Sequence, residues 1–153
     1  MTTPAPQLSL HTPVGDVTLS EDDGAIVSVD WGWAAAQTET ALLKRARKQL
    51  QDYFDGKRQD FDLPLNPHGT LLQKKIWAGM CAIPYGATLA YGELGRRVGA
   101  GARVVGNACG RNPLPIIVPC HRVLAAHGKL GFYSGEGGVD TKVALLRLEG
   151  ALL

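Results

Sequence analysis

The run FDLPLNPHG, residues 61–69, constrains this chain most, because it places two prolines and a glycine within nine residues. A proline fixes φ and removes a backbone donor, so neither a helix nor a central strand can run through such a segment. A chain of 153 residues suits one or two small domains. The break predicts two, at 1–66 and 67–153. Before it, LSLHTPVG, DVTLSEDD and AIVSVDW read as three short strands separated by turn residues, which is a small antiparallel sheet. Thr40 to Phe54 then reads as a helix. Leu42, Leu43, Ala46, Leu50, Tyr53 and Phe54 recur at three- and four-residue steps, and Gly56 ends the pattern.

After the break the periodicity is helical. Thr70-Leu71-Leu72-Gln73 is a capping box, with a hydroxyl and an amide placed to satisfy the first free N–H groups, and it predicts a helix to about Met80. Tyr91 to Val98 is a short helix closed by Gly99, and a second short helix runs from about Arg103 to Gly110. Two short helices joined through a glycine-containing turn match a helix-turn-helix. The second, ARVVGNACG, is built from small residues. Such a helix can lie very close to another backbone, either DNA phosphates or its own core. Val139 to Leu148 is a terminal helix with Glu149 at its end. The fold class predicted is therefore α/β of the α+β kind, a sheet-plus-helix domain followed by a mainly helical one.

No apolar run approaches the roughly 20 residues needed to cross a membrane, and the first ten residues lack the pattern of a secretory signal. Three cysteines, Cys81, Cys109 and Cys120, are odd in number and show no CxxC spacing. Neither a disulfide framework nor a cysteine-rich zinc site is expected, and a reducing cytoplasm fits best. Charge is divided unevenly. Residues 1–66 carry six Lys/Arg against ten Asp/Glu, and residues 67–153 carry ten against four. The second part is thus a basic module suited to a polyanion, unless the split only reflects two solvated surfaces.

Pro119-Cys120-His121-Arg122 closes the β-branched run IIVP. A thiol becomes a nucleophile as its thiolate, from an unperturbed pKa of roughly 8.5, and a nearby imidazole can accept its proton. Adjacent side chains on an extended strand point to opposite faces. Cys120 and His121 can therefore cooperate only if the chain kinks or a water bridges them. A strand that stops at Pro119 and turns through Cys120 and His121 is expected. The alternative is a buried structural cysteine beside a surface histidine.

IPYGATLAYGEL, ARVVGNACGRNPLPIIVPCHRVL, GKLGFYSG and TKVALLRLEG follow in order over nearly all of residues 70–150. In this the chain resembles the O6-alkylguanine-DNA alkyltransferases. The first 66 residues match that family only in layout and in the loose segment DYFDGKRQDFDLPL. The resemblance implies an RNase H-like first domain and a winged helix-turn-helix second one. It implies direct-reversal DNA repair with no cofactor and no metal. A monomer would bind duplex DNA in the minor groove and flip out O6-alkylguanine, with O4-alkylthymine as a further candidate substrate. The alkyl group would pass irreversibly to a cysteine in a single turnover.

Carried over by position, Cys120 is the acceptor and His121 the base acting through a water. Glu149 orients the imidazole, and Asn112 is the hinge joining the recognition helix to the active-site segment. Tyr91 donates to the guanine, Arg103 fills the space the base leaves, and Tyr133 and Ser134 form the pocket wall and an oxygen-side donor. Arg122 is expected to be structural, tied to nearby carbonyls. The chain departs from the family pattern at Ala90, where a hydroxyl residue is common, and at Cys109, where bulkier residues are common. The loop GEGGVDTK is about two residues longer than usual. Three other readings compete: a lesion-binding relative without transfer activity, a DNA-binding regulator with a structural Cys120, and a cysteine hydrolase. The first would lack the acceptor cysteine, and the last would need a separate catalytic histidine signature that the chain does not show.

Overall fold

Alternating apolar residues build the first sheet. In the computed structural model, which describes residues 5–131, 133, 135 and 137–152, β1 (Gln7–Leu10), β2 (Val17–Asp22) and β3 (Ala25–Trp31) form an antiparallel meander in the order β1-β2-β3. Leu8 pairs with Leu19 and Leu19 with Val29. These three are buried with Leu10, Val17 and Ile26. Helix α1 (Ala41–Phe54) buries Leu43, Ala46, Leu50 and Tyr53 of the predicted stripe and leaves Leu42 and Phe54 half-buried at its edges. The Thr40 hydroxyl caps it by accepting from the Leu43 N–H at 3.0 Å.

The proline-containing break belongs to this first unit. Ile26 N–H donates to Pro64 at 2.8 Å and Asn66 N–H donates to Ile26 at 2.9 Å, which gives β3 a short parallel neighbour at Leu65. The Gln49 side-chain amide holds the same segment, donating to the Asp62 carbonyl and accepting from the Asp62 N–H. The chain divides between His68 and Gly69 into two compact units.

The second unit contains α2 (Leu71–Cys81), β4 (Leu89–Ala90), α3 (Tyr91–Val98), α4 (Ala102–Gly110), β5 (Val123–Leu124) and α5 (Val139–Leu148). The capping box of α2 is formed in both directions, at 3.0 and 2.9 Å. Ala90 occupies the N-cap position of α3 and supplies no side-chain cap. Gly99 ends α3 in the left-handed region at φ 77°. The turn to α4 is so tight that a Cβ at Gly95 would lie 2.2 Å from the Ala100 carbonyl oxygen, so only glycine fits there. The indole N–H of Trp77 donates to the Ala108 carbonyl at 2.9 Å, inside the core, and ties α2 to α4. No helix among the described residues is long and apolar enough to cross a membrane.

One predicted element is corrected. The IIVP run is not a strand. Ile116 has φ 75°, Val118 N–H donates to Leu114 at 2.8 Å, and Cys120 N–H donates to Val118 at 2.8 Å around Pro119. With φ −81° and ψ 65°, Pro119 is the centre of an inverse γ-turn. Leu114, Ile116, Ile117 and Val118 are buried as an apolar plug. Burial of β-branched residues needs no sheet partner, and their backbone groups here are met by local bonds and by Asn112 instead.

Candidate active site

Cys120 lies at the start of a single 3-10 turn, Cys120–Arg122, that follows the Pro119 γ-turn. The turn runs straight into β5, which pairs parallel with β4, Val123 opposite Leu89 and Leu124 opposite Ala90. Tyr91 and helix α3 follow β4 directly. The two short strands thus join the cysteine-bearing turn to the first helix of the helix-turn-helix.

Asn112 fixes the loop before the cysteine. Its side-chain amide donates to the Val118 carbonyl at 2.9 Å, and its side-chain oxygen accepts from the Leu114 N–H at 2.9 Å. Its own N–H donates to the Cys109 carbonyl at the end of α4. One residue therefore ties α4 to the segment carrying Cys120. Burial pushes the Cys120 thiol up, and a hydrogen bond from the Asn112 side chain, the Lys142 charge and local backbone N–H groups oppose that rise.

His121 is fully buried, and its Nε2 lies 2.7 Å from Glu149 Oε2. An ionised carboxylate can only accept, so Nε2 carries the hydrogen and Nδ1 presents its lone pair. Nδ1 has no partner among the described residues. Although the chain kinks here, the imidazole bonds Glu149 through Nε2 and makes no direct hydrogen bond to the thiol through Nδ1. Burial pulls the His121 pKa down against the opposing pull of Glu149, and Arg122 and Lys142 pull it further down. The ring is neutral at rest and can accept a proton at Nδ1.

Glu149 is the C-cap of α5 and is buried. It serves a second partner that sequence reasoning missed. Arg122 donates from Nε to Oε1 at 2.7 Å and from Nη2 to Oε2 at 3.0 Å. Its Nη1 donates to the Ile83 carbonyl at 2.7 Å, which is the carbonyl tie expected for it. Deleting one partner of such a buried pair costs about 3–5 kcal/mol, because the other charge is left without compensation.

Lys142 is the other residue missed. It is fully buried, donates to the Val123 carbonyl at 2.7 Å, and its Nζ sits 5.9 Å from the centre of the Tyr91 ring. Burial lowers its pKa, and the nearby Cys109 and Cys120 favour its charged form. The signal was present in TKVALLRLEG. Lys142, Leu145, Leu146 and Glu149 recur at i, i+3, i+4 and i+7 and share the buried face of α5.

Tyr133 is buried near Cys120, its hydroxyl pushed up first by burial and then by the Cys120 charge, and that hydroxyl has no partner among the described residues. Tyr91 is half-buried at the start of α3, and a Cβ on Gly131 would come within 3.3 Å of its hydroxyl. Arg103 stands apart from this cluster, exposed in the first turn of α4. Ser134 lies outside the described residues.

A helix-turn-helix unit that buries a cysteine against an imidazole–carboxylate pair defines a class: DNA-binding architecture joined to thiol group-transfer chemistry. Residues 71–151 match the family model described as the 6-O-methylguanine DNA methyltransferase DNA binding domain, and residues 8–67 match the ribonuclease-like domain of the same methyltransferase. The chain belongs to the 6-O-methylguanine DNA methyltransferase family. The methylated-DNA–protein-cysteine methyltransferase of Methanosarcina acetivorans is 39% identical over 92% of this chain and 96% of its own. The constitutive enzyme of that name from Bacillus subtilis is 38% identical over 91% and 92%. Among solved structures, a Mycobacterium tuberculosis O6-methylguanine methyltransferase superposes with a TM-score of 0.85 at 36% identity, covering 97% of this chain and 94% of that one. A Mycobacterium tuberculosis relative in complex with DNA gives 0.85 at 38%, covering 95% and 92%.

Proposed function

We propose that this protein repairs DNA by direct reversal, moving the alkyl group of O6-alkylguanine onto Cys120 in a single turnover. The observation that carries this reading is the continuous arrangement of Asn112, Cys120, His121 and Glu149, with a lone pair on His121 Nδ1 free to take a proton. Nδ1 accepts the thiol proton through a water molecule, and Glu149 stabilises the imidazolium that results. Sulfur attacks the alkyl carbon, a C–S bond forms and the C–O6 bond breaks. Its electron pair leaves with guanine, which takes up a proton, with the Tyr91 hydroxyl as the donor. Tyr133 walls the pocket, with Ser134 as the oxygen-side donor. The reactive carbon is shielded in a duplex, so the base must be extruded first. The helix-turn-helix holds the minor groove as a monomer, and Arg103 fills the space the base leaves.

The product is a thioether that no group in the proposed chemistry cleaves. Repaired guanine will therefore plateau at no more than one per protein. Chelators will not change the rate, and intact mass spectrometry will follow the adduct. Sustained turnover would sink the mechanism. Binding will also weaken as salt rises, because Lys and Arg of the second unit displace counterions from phosphates. Fluorescence anisotropy with an unmodified duplex at several salt concentrations reads this directly. An affinity insensitive to salt would contradict electrostatic docking by this unit.

A further inference from the structure

We propose that Arg122 is a positioning residue for the relay: its guanidinium locks the Glu149 carboxylate in one orientation and shares the charge that the carboxylate presents to His121. The inference rests on the relay read above. Its first support is geometric. Glu149 Oε2 is shared, at 2.7 Å from His121 Nε2 and 3.0 Å from Arg122 Nη2, while Oε1 takes Arg122 Nε at 2.7 Å. Two parallel N–H···O bonds fix the carboxylate plane, a constraint that a point charge does not impose.

Arg122 is itself anchored. Its Nη1 bonds the Ile83 carbonyl, and its guanidinium carbon sits 5.9 Å from the centre of the Tyr85 ring. The Tyr85 hydroxyl donates to the Leu148 carbonyl at 3.2 Å, so the same turn also holds the end of α5 that carries Glu149.

The second support is electrostatic. A buried carboxylate bonded only to an imidazole would favour imidazolium at rest, and imidazolium cannot accept the thiol proton. Burial of the ring opposes that pull first, and Arg122 divides the negative charge further. The other groups acting on His121 are Lys142 and Glu149 from α5, with the Cys120 thiol next to it on the 3-10 turn. Tyr133 and Cys109 face Cys120, and Cys81 at the end of α2 faces Arg122. With Arg122 gone, Glu149 acts on His121 undiluted and imidazolium becomes easier to form. Activity needs neutral His121, so the acid limb of the pH–rate profile must move to higher pH.

The test measures the rate of Cys120 benzylation by free O6-benzylguanine against pH, together with an NMR titration of the His121 imidazole. Wild-type benzylation at Cys120 establishes the underlying reading, and its absence would defeat that reading before Arg122 is tested. For Arg122→Met, the acid limb and the His121 titration are expected to move up by about one pH unit, a roughly tenfold loss on that limb. Glu149→Gln will move both down. Arg122→Lys, which keeps the charge and loses the fork, will leave the limb near its wild-type position while lowering the plateau rate. It also keeps the test open if Arg122→Met does not fold. A lower rate with the limb and titration unmoved in Arg122→Met, or an Arg122→Lys variant with the wild-type plateau, would overturn the proposal.

Discussion

Replacing Cys120 with alanine will abolish alkyl transfer and leave binding to an O6-methylguanine duplex intact. The three cysteines differ in their surroundings, and this decides the outcome. Burial pushes the Cys109 thiol up to about 12, so its thiolate is negligible near neutral pH. Cys81 is an exposed residue whose thiol is partly covered, and that partial desolvation raises it against the charge of Arg122. Cys120 is also raised by burial, but the Asn112 side chain, the Lys142 charge and local backbone N–H groups oppose that rise. It is also the neighbour of an imidazole whose other nitrogen is fixed on a carboxylate. Cys81→Ser and Cys109→Ser will therefore keep transfer. Peptide mapping after reaction should place one methyl group, on Cys120. Methyl found mainly on either other cysteine would move the site.

Local signals made most elements readable. The capping box at Thr70, the terminal Gly99 and the apolar stripe of α1 act within a few residues, and all three are formed as the residues suggest. The small sheet was legible for the same reason, because alternation over a few residues specifies which face is buried. IIVP was misread because a β-branched run signals burial, and burial alone does not choose between a strand and a bonded loop. What redirected it was Asn112, whose side chain replaces the ladder bonds at Leu114 and Val118.

The site was legible where the motif is contiguous and less so where charges meet from distant segments. PCHR named the thiol and imidazole, and the resemblance supplied Glu149 across the 28 residues that separate it from His121. The tie from Arg122 to a carbonyl was expected, but its fork on Glu149 was not, since a three-way charge arrangement leaves no local pattern. Lys142 was different. Its helical spacing with Glu149 put a lysine on a buried face, and a buried lysine always needs an explanation.

Arg103→Ala will slow repair of a duplex far more than reaction with a free benzylated base. Extruding a nucleotide costs a few kcal/mol in lost stacking and pairing. A planar guanidinium entering the gap can stack on the flanking bases and return part of that cost. Arg103 suits this role by position. It is exposed on the first turn of α4, a helix of small residues, and it stands clear of the buried cluster around Cys120. If its stacking returns about 2–3 kcal/mol, its loss slows duplex repair by roughly 30–160-fold. Free O6-benzylguanine needs no extrusion, so its rate with Arg103→Ala will stay close to wild type. Single-turnover rates on the two substrates separate the effects. Equal losses on both would mean that Arg103 supports the fold or the pocket, and the gap-filling role would then have to be abandoned.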